Sequence, residues 1–105
     1  MSIKVIWTAQ ARADLKKIFD FVYKQSQTPT IPRKLVKKVV EKSKLLAKGN
    51  LQGAVLQGIE NAPKEYRYLV QGNYIIIYSN SETNLIYIHT VFDTRQDPEN
   101  LKSKL

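Results

Sequence analysis

Two arginines stand apart from the other basic residues of this chain. Arg67 opens RYLVQ, and Arg95 lies in VFDTRQDP, just past the last apolar run. A guanidinium is a planar fork of donors that matches a carboxylate or a phosphate. Two such groups converging on one sheet face would bind an anion. The local alternative pairs Arg67 with Glu65, and Arg95 with Asp93 or Asp97. Tyr66, Tyr68, Tyr74, Tyr78 and Tyr87 share this region. They either stack bases beside the cations or pack across strands at alternating positions.

Other chemistries find less support. The chain has no cysteine and a single histidine, His89. Thiolate catalysis, thiolate zinc and disulfides are thereby excluded, and one imidazole without clustered partners makes no metal site. No nucleophile-elbow pattern accompanies His89, which reads as a strand residue without catalytic duty. Gly49, Gly53 and Gly58 match neither phosphate-cradling spacing, so no nucleotide cofactor is expected. The acidic residues form no constellation that commits them to acid–base work.

Charge gives a second lead. The net charge of +8 is unevenly spread: residues 31–48 hold seven basic groups against Glu41 alone, while residues 49–105 are nearly neutral. Lys34, Lys37, Lys38, Lys44 and Lys48 occupy one arc of that segment. The arc is either a solvated face that keeps the protein soluble or a surface for an acidic protein or nucleic acid. With 105 residues, 43% of them hydrophobic, the chain suits one domain with its own core. No apolar run reaches the roughly 18–20 residues of a membrane span, and none resembles a signal peptide. A soluble, cytoplasmic protein is expected.

The positioning elements follow from periodicity. Ile3–Trp7 is β-branched and aromatic, a first strand. Thr8 is a plausible N-cap for a helix over 9–24, whose stripe is Ala11, Leu15, Ile18, Phe19 and Val22. Asp14 lies off that stripe. Phe21 does too, and is expected to meet another element or a partner. Ser26–Pro32 is a turn, and a second helix runs from Pro32 to Ala47, burying Leu35, Val36, Val39, Val40, Leu46 and Ala47. Gly49-Asn50 is its stop signal. Residues 49–65 read mainly as connection. Tyr66–Gln71 and Tyr74–Ser79 form a hairpin about Gly72-Asn73, and Leu85–Phe92 follows after a polar turn at Asn80–Asn84. The order β-α-α-β-β-β predicts an α+β domain, a helical hairpin packed on a small antiparallel sheet. The segment after Phe92, with only Leu101 and Leu105 as apolar residues, is expected to be mobile until a partner orders it.

Three stretches in order, IKVIWTAQARADLKKIFDFV, RYLVQGNYIIIY and IYIHTVFDTRQDP, resemble the RelE/ParE superfamily of bacterial type II toxins. The resemblance spans nearly the whole chain and implies a growth-inhibiting toxin, held inactive in an oligomer with a cognate antitoxin. Two mechanisms exist in that superfamily. The RelE-like branch cuts messenger RNA on the ribosome, with basic groups that activate the 2′-hydroxyl and stabilise phosphate charge. It commonly has an arginine after the tyrosine that follows the hairpin turn; here Ile75 follows Tyr74. It also tends to have a terminal tyrosine or histidine, absent from Gln96–Leu105, though Arg95 falls near a second arginine position. The ParE-like branch, to which these stretches look closer, blocks DNA gyrase by binding. On this reading Arg67 anchors the sheet or an interface, and Arg95 joins the lysine arc as a partner-binding residue. The alternative is a ribosome-dependent nuclease using Arg95 and Arg67.

Overall fold

The computed structural model describes residues 3–49, 53–57 and 64–105, apart from the side chains of Ser81 and Pro98. Strand β1 (Lys4–Trp7) leads into helix α1 (Ala9–Ser26) through Thr8, whose hydroxyl oxygen accepts the Ala11 amide at 3.2 Å. The same hydroxyl donates to the Ile88 carbonyl at 2.8 Å, so one side chain both starts the helix and ties it to the sheet. Helix α1 stops at Gln27, which adopts φ 57° and donates its amide back to the Tyr23 carbonyl. The link to α2 (Thr30–Lys44) is shorter than the expected Ser26–Pro32 turn. Pro32 falls inside the first turn of α2 because its missing donor is one the helix start leaves unpaired anyway. A 3-10 turn (Leu45–Lys48) follows and ends at Gly49, whose φ of 73° suits glycine.

In the sheet β1 is followed by β5 (Leu85–Asp93), β4 (Tyr74–Glu82), β3 (Arg67–Gln71) and β2 (Ala54–Val55). Strands β3 (Arg67–Gln71), β4 (Tyr74–Glu82) and β5 (Leu85–Asp93) form the expected antiparallel meander. Its first turn is the two residues Gly72-Asn73, with Gly72 at φ 61°. The second is Thr83-Asn84 rather than Asn80–Asn84, because β4 continues to Glu82. Two features correct the expected all-antiparallel sheet. Strand β1 pairs parallel with β5, Lys4 opposite Leu85 through Trp7 opposite Ile88, so the sheet is mixed. The helical hairpin carries the chain away from β1 and lets β5 come back beside it in the same direction. A short β2 (Ala54–Val55) also pairs antiparallel with β3, inside the segment read as connection. Gly53 precedes it because a Cβ there would lie 2.1 Å from the Tyr68 carbonyl oxygen.

Both helices pack on one face of the sheet. Ala11, Val39 and Leu46 meet Leu69, Tyr74, Ile76, Tyr78, Ile86, Ile88 and Val91, all nearly or fully buried. Ile88 and Val91 are three apart, a spacing that a regular strand would place on opposite faces. The β4–β5 register explains it: Ile77 faces Thr90 and Tyr78 faces Ile88, leaving His89 as the extra residue of a bulge. Ala47, expected in the core, is exposed because the 3-10 turn rotates it away from the helical stripe.

Residues after Phe92 are not the loose tail that their composition suggested. Asp97 caps helix α3 (Pro98–Lys102) by accepting the Glu99 amide at 3.0 Å. Beyond it the Lys104 ammonium reaches the Asp14 carboxylate at 2.9 Å, and Gln10 Nε2 donates to the Lys104 carbonyl at 3.0 Å. The tail is strapped to α1.

Candidate functional site

A cleft of about 600 Å³ opens between α1 and the end of the sheet where β4 begins and β5 ends. Lys17, Ile18, Phe21 and Gln25 line one wall at the helical spacing that puts them on one flank. Tyr74, Asp93, Arg95 and Gln96 make the other. Phe21 is 52% exposed, an aromatic ring held in solvent at the rim. Its place off the core stripe is thereby accounted for: it faces the cleft.

Arg95 sits at the cleft because the chain turns sharply after β5. The Gln96 amide donates to the Asp93 carbonyl at 3.0 Å, and Thr94 donates through both its amide and its hydroxyl to the Asn73 carbonyl at 2.8 Å. The turn brings Arg95 back onto Asp93. Nε and Nη2 donate to the two carboxylate oxygens at 2.9 and 2.8 Å, and the Arg95 amide adds a third bond at 2.9 Å. This is the local pairing weighed for Arg95, in its bidentate form. The Arg95 hydrogen bonds hold the Asp93 carboxyl below its usual range despite partial burial. Asp93 in turn raises the guanidinium above its ordinary value. Tyr74, opposite Asp93 in the sheet, is pushed up by burial and then by the Asp93 charge, with Arg95 offsetting part of the effect. The fork fixes the Arg95 guanidinium against Asp93 in the wall of the cleft.

Arg67 lies elsewhere. Its Nη1 donates to the Gly53 carbonyl at 2.9 Å and its Nε lies 3.3 Å from Glu65, which pins β2 to β3. Tyr78 completes that clasp, its hydroxyl accepting the Gly53 amide at 2.6 Å. The structure therefore does not bring Arg67 and Arg95 together. His89 is engaged too: Nε2 and Ser79 Oγ are 2.7 Å apart, and Tyr66 meets the ring edge-on at 5.2 Å. A serine–histidine pair invites a nucleophile reading, but Ser79 is fully buried and offers no approach to a substrate. Burial, and then the charge of Lys64, lower the His89 pKa and so favour the neutral ring.

Lys34, Lys37, Lys38, Lys44 and Lys48 are all exposed. Among the described residues only Lys37 of these has an acidic neighbour, Glu41 at 3.9 Å. On the α1 side of this arc runs a groove of about 340 Å³, with Phe19, Val36 and Val40 as its apolar lining and Arg33, Lys37, Glu41 and Lys44 around them. Sequence reasoning missed Asp14. Its side chain is 4% exposed and accepts from the Thr90 hydroxyl and, at 3.3 Å, from the Val91 amide, besides meeting Lys104. No local signal marked it, since the carboxylate sits one position from the stripe and its partners are 76 to 90 residues away. Among the described residues no group of three His, Asp or Glu side chains could hold a metal ion, and no helix is long and apolar enough to cross a membrane.

These features define a class: a small α+β domain with a basic helical hairpin on a mixed sheet and an arginine set in a cleft at the sheet's end. The chain belongs to the family of ParE toxins of type II toxin–antitoxin systems, parDE, whose model matches residues 5–98. A solved chain titled "Chromosomal ParDE TA system from P. aeruginosa" shares the fold with a TM-score of 0.68. It is 23% identical over 87% of this chain and 95% of that one. No curated protein matches significantly.

Proposed function

We propose that this toxin stops growth by binding DNA gyrase in the cytoplasm, trapping cleaved DNA, and that a cognate antitoxin holds it in an inactive oligomer until released. The observation that carries the gyrase reading is the state of Arg95 and its surroundings. Of the two arginines a ribosome-dependent nuclease would use here, only Arg95 is in the cleft, with Lys17 as the other basic group of its wall: Arg67 is committed to Gly53 and Glu65, and Ile75 follows Tyr74. Arg95 itself is held by Asp93. An amphipathic cleft with an exposed aromatic and a fixed arginine suits protein recognition, where such residues act as anchors. The antitoxin is assigned to the groove beside α2, whose apolar lining and cationic rim complement an acidic amphipathic helix.

Purified protein added to gyrase is expected to inhibit supercoiling and accumulate cleaved DNA, and Phe21→Ala or Arg95→Ala to weaken both. Normal supercoiling at saturating toxin overturns the gyrase reading. Codon-phased cuts in translated message, lost in Arg95→Ala, would replace it with the nuclease.

A further inference from the structure

Helix α2 has a second surface, next to the groove but different in kind. Positions 34, 37, 41 and 44 recur at spacings of three and four, which aligns them in one row along an exposed face of α2, and position 48 follows, also exposed, in the 3-10 turn. Four of the five are lysines, and Lys38 flanks them. Glu41 is paired with Lys37, which leaves Lys34, Lys38, Lys44 and Lys48 without an acidic partner among the described residues. The helical part alone is about 22 Å long at 1.5 Å per residue. Over that length a DNA duplex carries roughly a dozen phosphates on its two strands.

The chemistry of the row selects its partner. Protein interfaces are depleted of lysine and rely on buried aromatic or arginine anchors. The row has neither; its side chains are flexible point charges on an exposed helix face. Such groups neutralise backbone phosphates without reading bases. We infer that the lysine row of α2 is a sequence-independent contact for the phosphate backbone of double-stranded DNA, separate from the cleft and sharing Lys37 and Lys44 with the rim of the apolar groove.

The test uses the purified toxin alone with a fluorescently labelled duplex of about 25 base pairs of arbitrary sequence, long enough to exceed the row. With four lysines engaged, the slope of log K against log salt is expected near −3 to −4, so that affinity falls roughly 100-fold between 50 and 200 mM salt. In Lys34→Gln/Lys44→Gln/Lys48→Gln the slope should shrink to about −1. A control with the same change in net charge, Lys4→Gln/Lys16→Gln/Lys24→Gln, should keep the parental slope. No duplex binding at 50 mM salt overturns the inference. So does an equal loss of slope in both variants, which would make the effect one of net charge. Polyglutamate bound more tightly than the duplex, with the same dependence on the row, would assign the surface to an acidic protein instead. No gyrase is present, so failure here leaves the proposed target untouched.

Discussion

Asp14 shows how much one side chain can hold together. It joins α1 to β5 through Thr90 and Val91, and to the tail through Lys104. A buried carboxylate is tolerated only with such partners, and removing one of them leaves the rest uncompensated. Lys104→Met is therefore expected to destabilise the fold by about 2–4 kcal/mol in urea titrations. Asp14→Asn/Lys104→Met together should cost less than the single changes summed, since the buried charge is gone. Arg95 differs because its own side chain is 55% exposed, although that of Asp93 is only 14% exposed, so solvent screens the pair from the arginine's side and its contribution to stability is small. Arg95→Ala should melt like the parent, yet move the Asp93 carboxyl. The hydrogen bonds from Arg95 hold the Asp93 carboxyl below its ordinary value, and its carboxyl-carbon NMR shift should report a higher value in Arg95→Ala. The sign is that of a depressed acid: whatever the fork adds to stability is present above the unfolded value and lost as pH falls through the folded one.

Among the elements, β5 is the organiser. It lies between β1 and β4, accepts the Thr8 hydroxyl bond that fixes the start of α1, and carries the His89 bulge. Because the folded state lowers the His89 pKa, stability should fall as pH drops through the window between 6.5 and the lower folded value. Urea unfolding at pH 7.5 and 5.5 should show this, and His89→Gln should flatten the difference. The strap formed by α3 and Lys104 is a structural element as well as a neighbour of the cleft. Truncation after Phe92 removes Arg95 and also strips Asp14 of its cation, so the shortened chain should lose both inhibition and about 2–4 kcal/mol. Lys104→Met separates the two roles: it should be less stable while keeping its activity at low temperature.

At the scale of the whole molecule, one core carries everything else. Leu46, Ile76 and Ile88 are at most 1% exposed where the hairpin meets the sheet. Ile88→Ala should cost about 3–5 kcal/mol by transfer and cavity terms together, a large share of the roughly 5–15 kcal/mol that holds a domain of this kind. Heat-induced unfolding followed by circular dichroism would show it. The cleft shares no lining residue with the groove or the lysine row, so substitutions in the cleft should leave binding at the other two unchanged, whereas Lys37 and Lys44 belong to both groove and row.

Much of this architecture is legible in short stretches of chain. The stripe of Ala11, Leu15 and Ile18, the cap at Thr8, the turn at Gly72-Asn73 and the lysine spacing on α2 each follow from periods of two or 3.6 and from backbone preferences. The same local patterns, met in order, also carry the resemblance to the toxin superfamily. Other features depended on what the folded chain brings near. Nothing within a few residues of Asp14 says that Thr90 and Lys104 will reach it, and nothing in β1 says that its partner is β5 in parallel. Strand β2 is two residues long, too short for any period, and exists because Arg67 and Tyr78 hold Gly53 against β3. Arg67 and Arg95 looked equivalent as residues in sequence. Only the tertiary structure gave Arg67 the Gly53 carbonyl to clasp and set Arg95, with its chain neighbour Asp93, at the mouth of a cleft, because that carbonyl and that cleft are placed by packing rather than by neighbours in the chain.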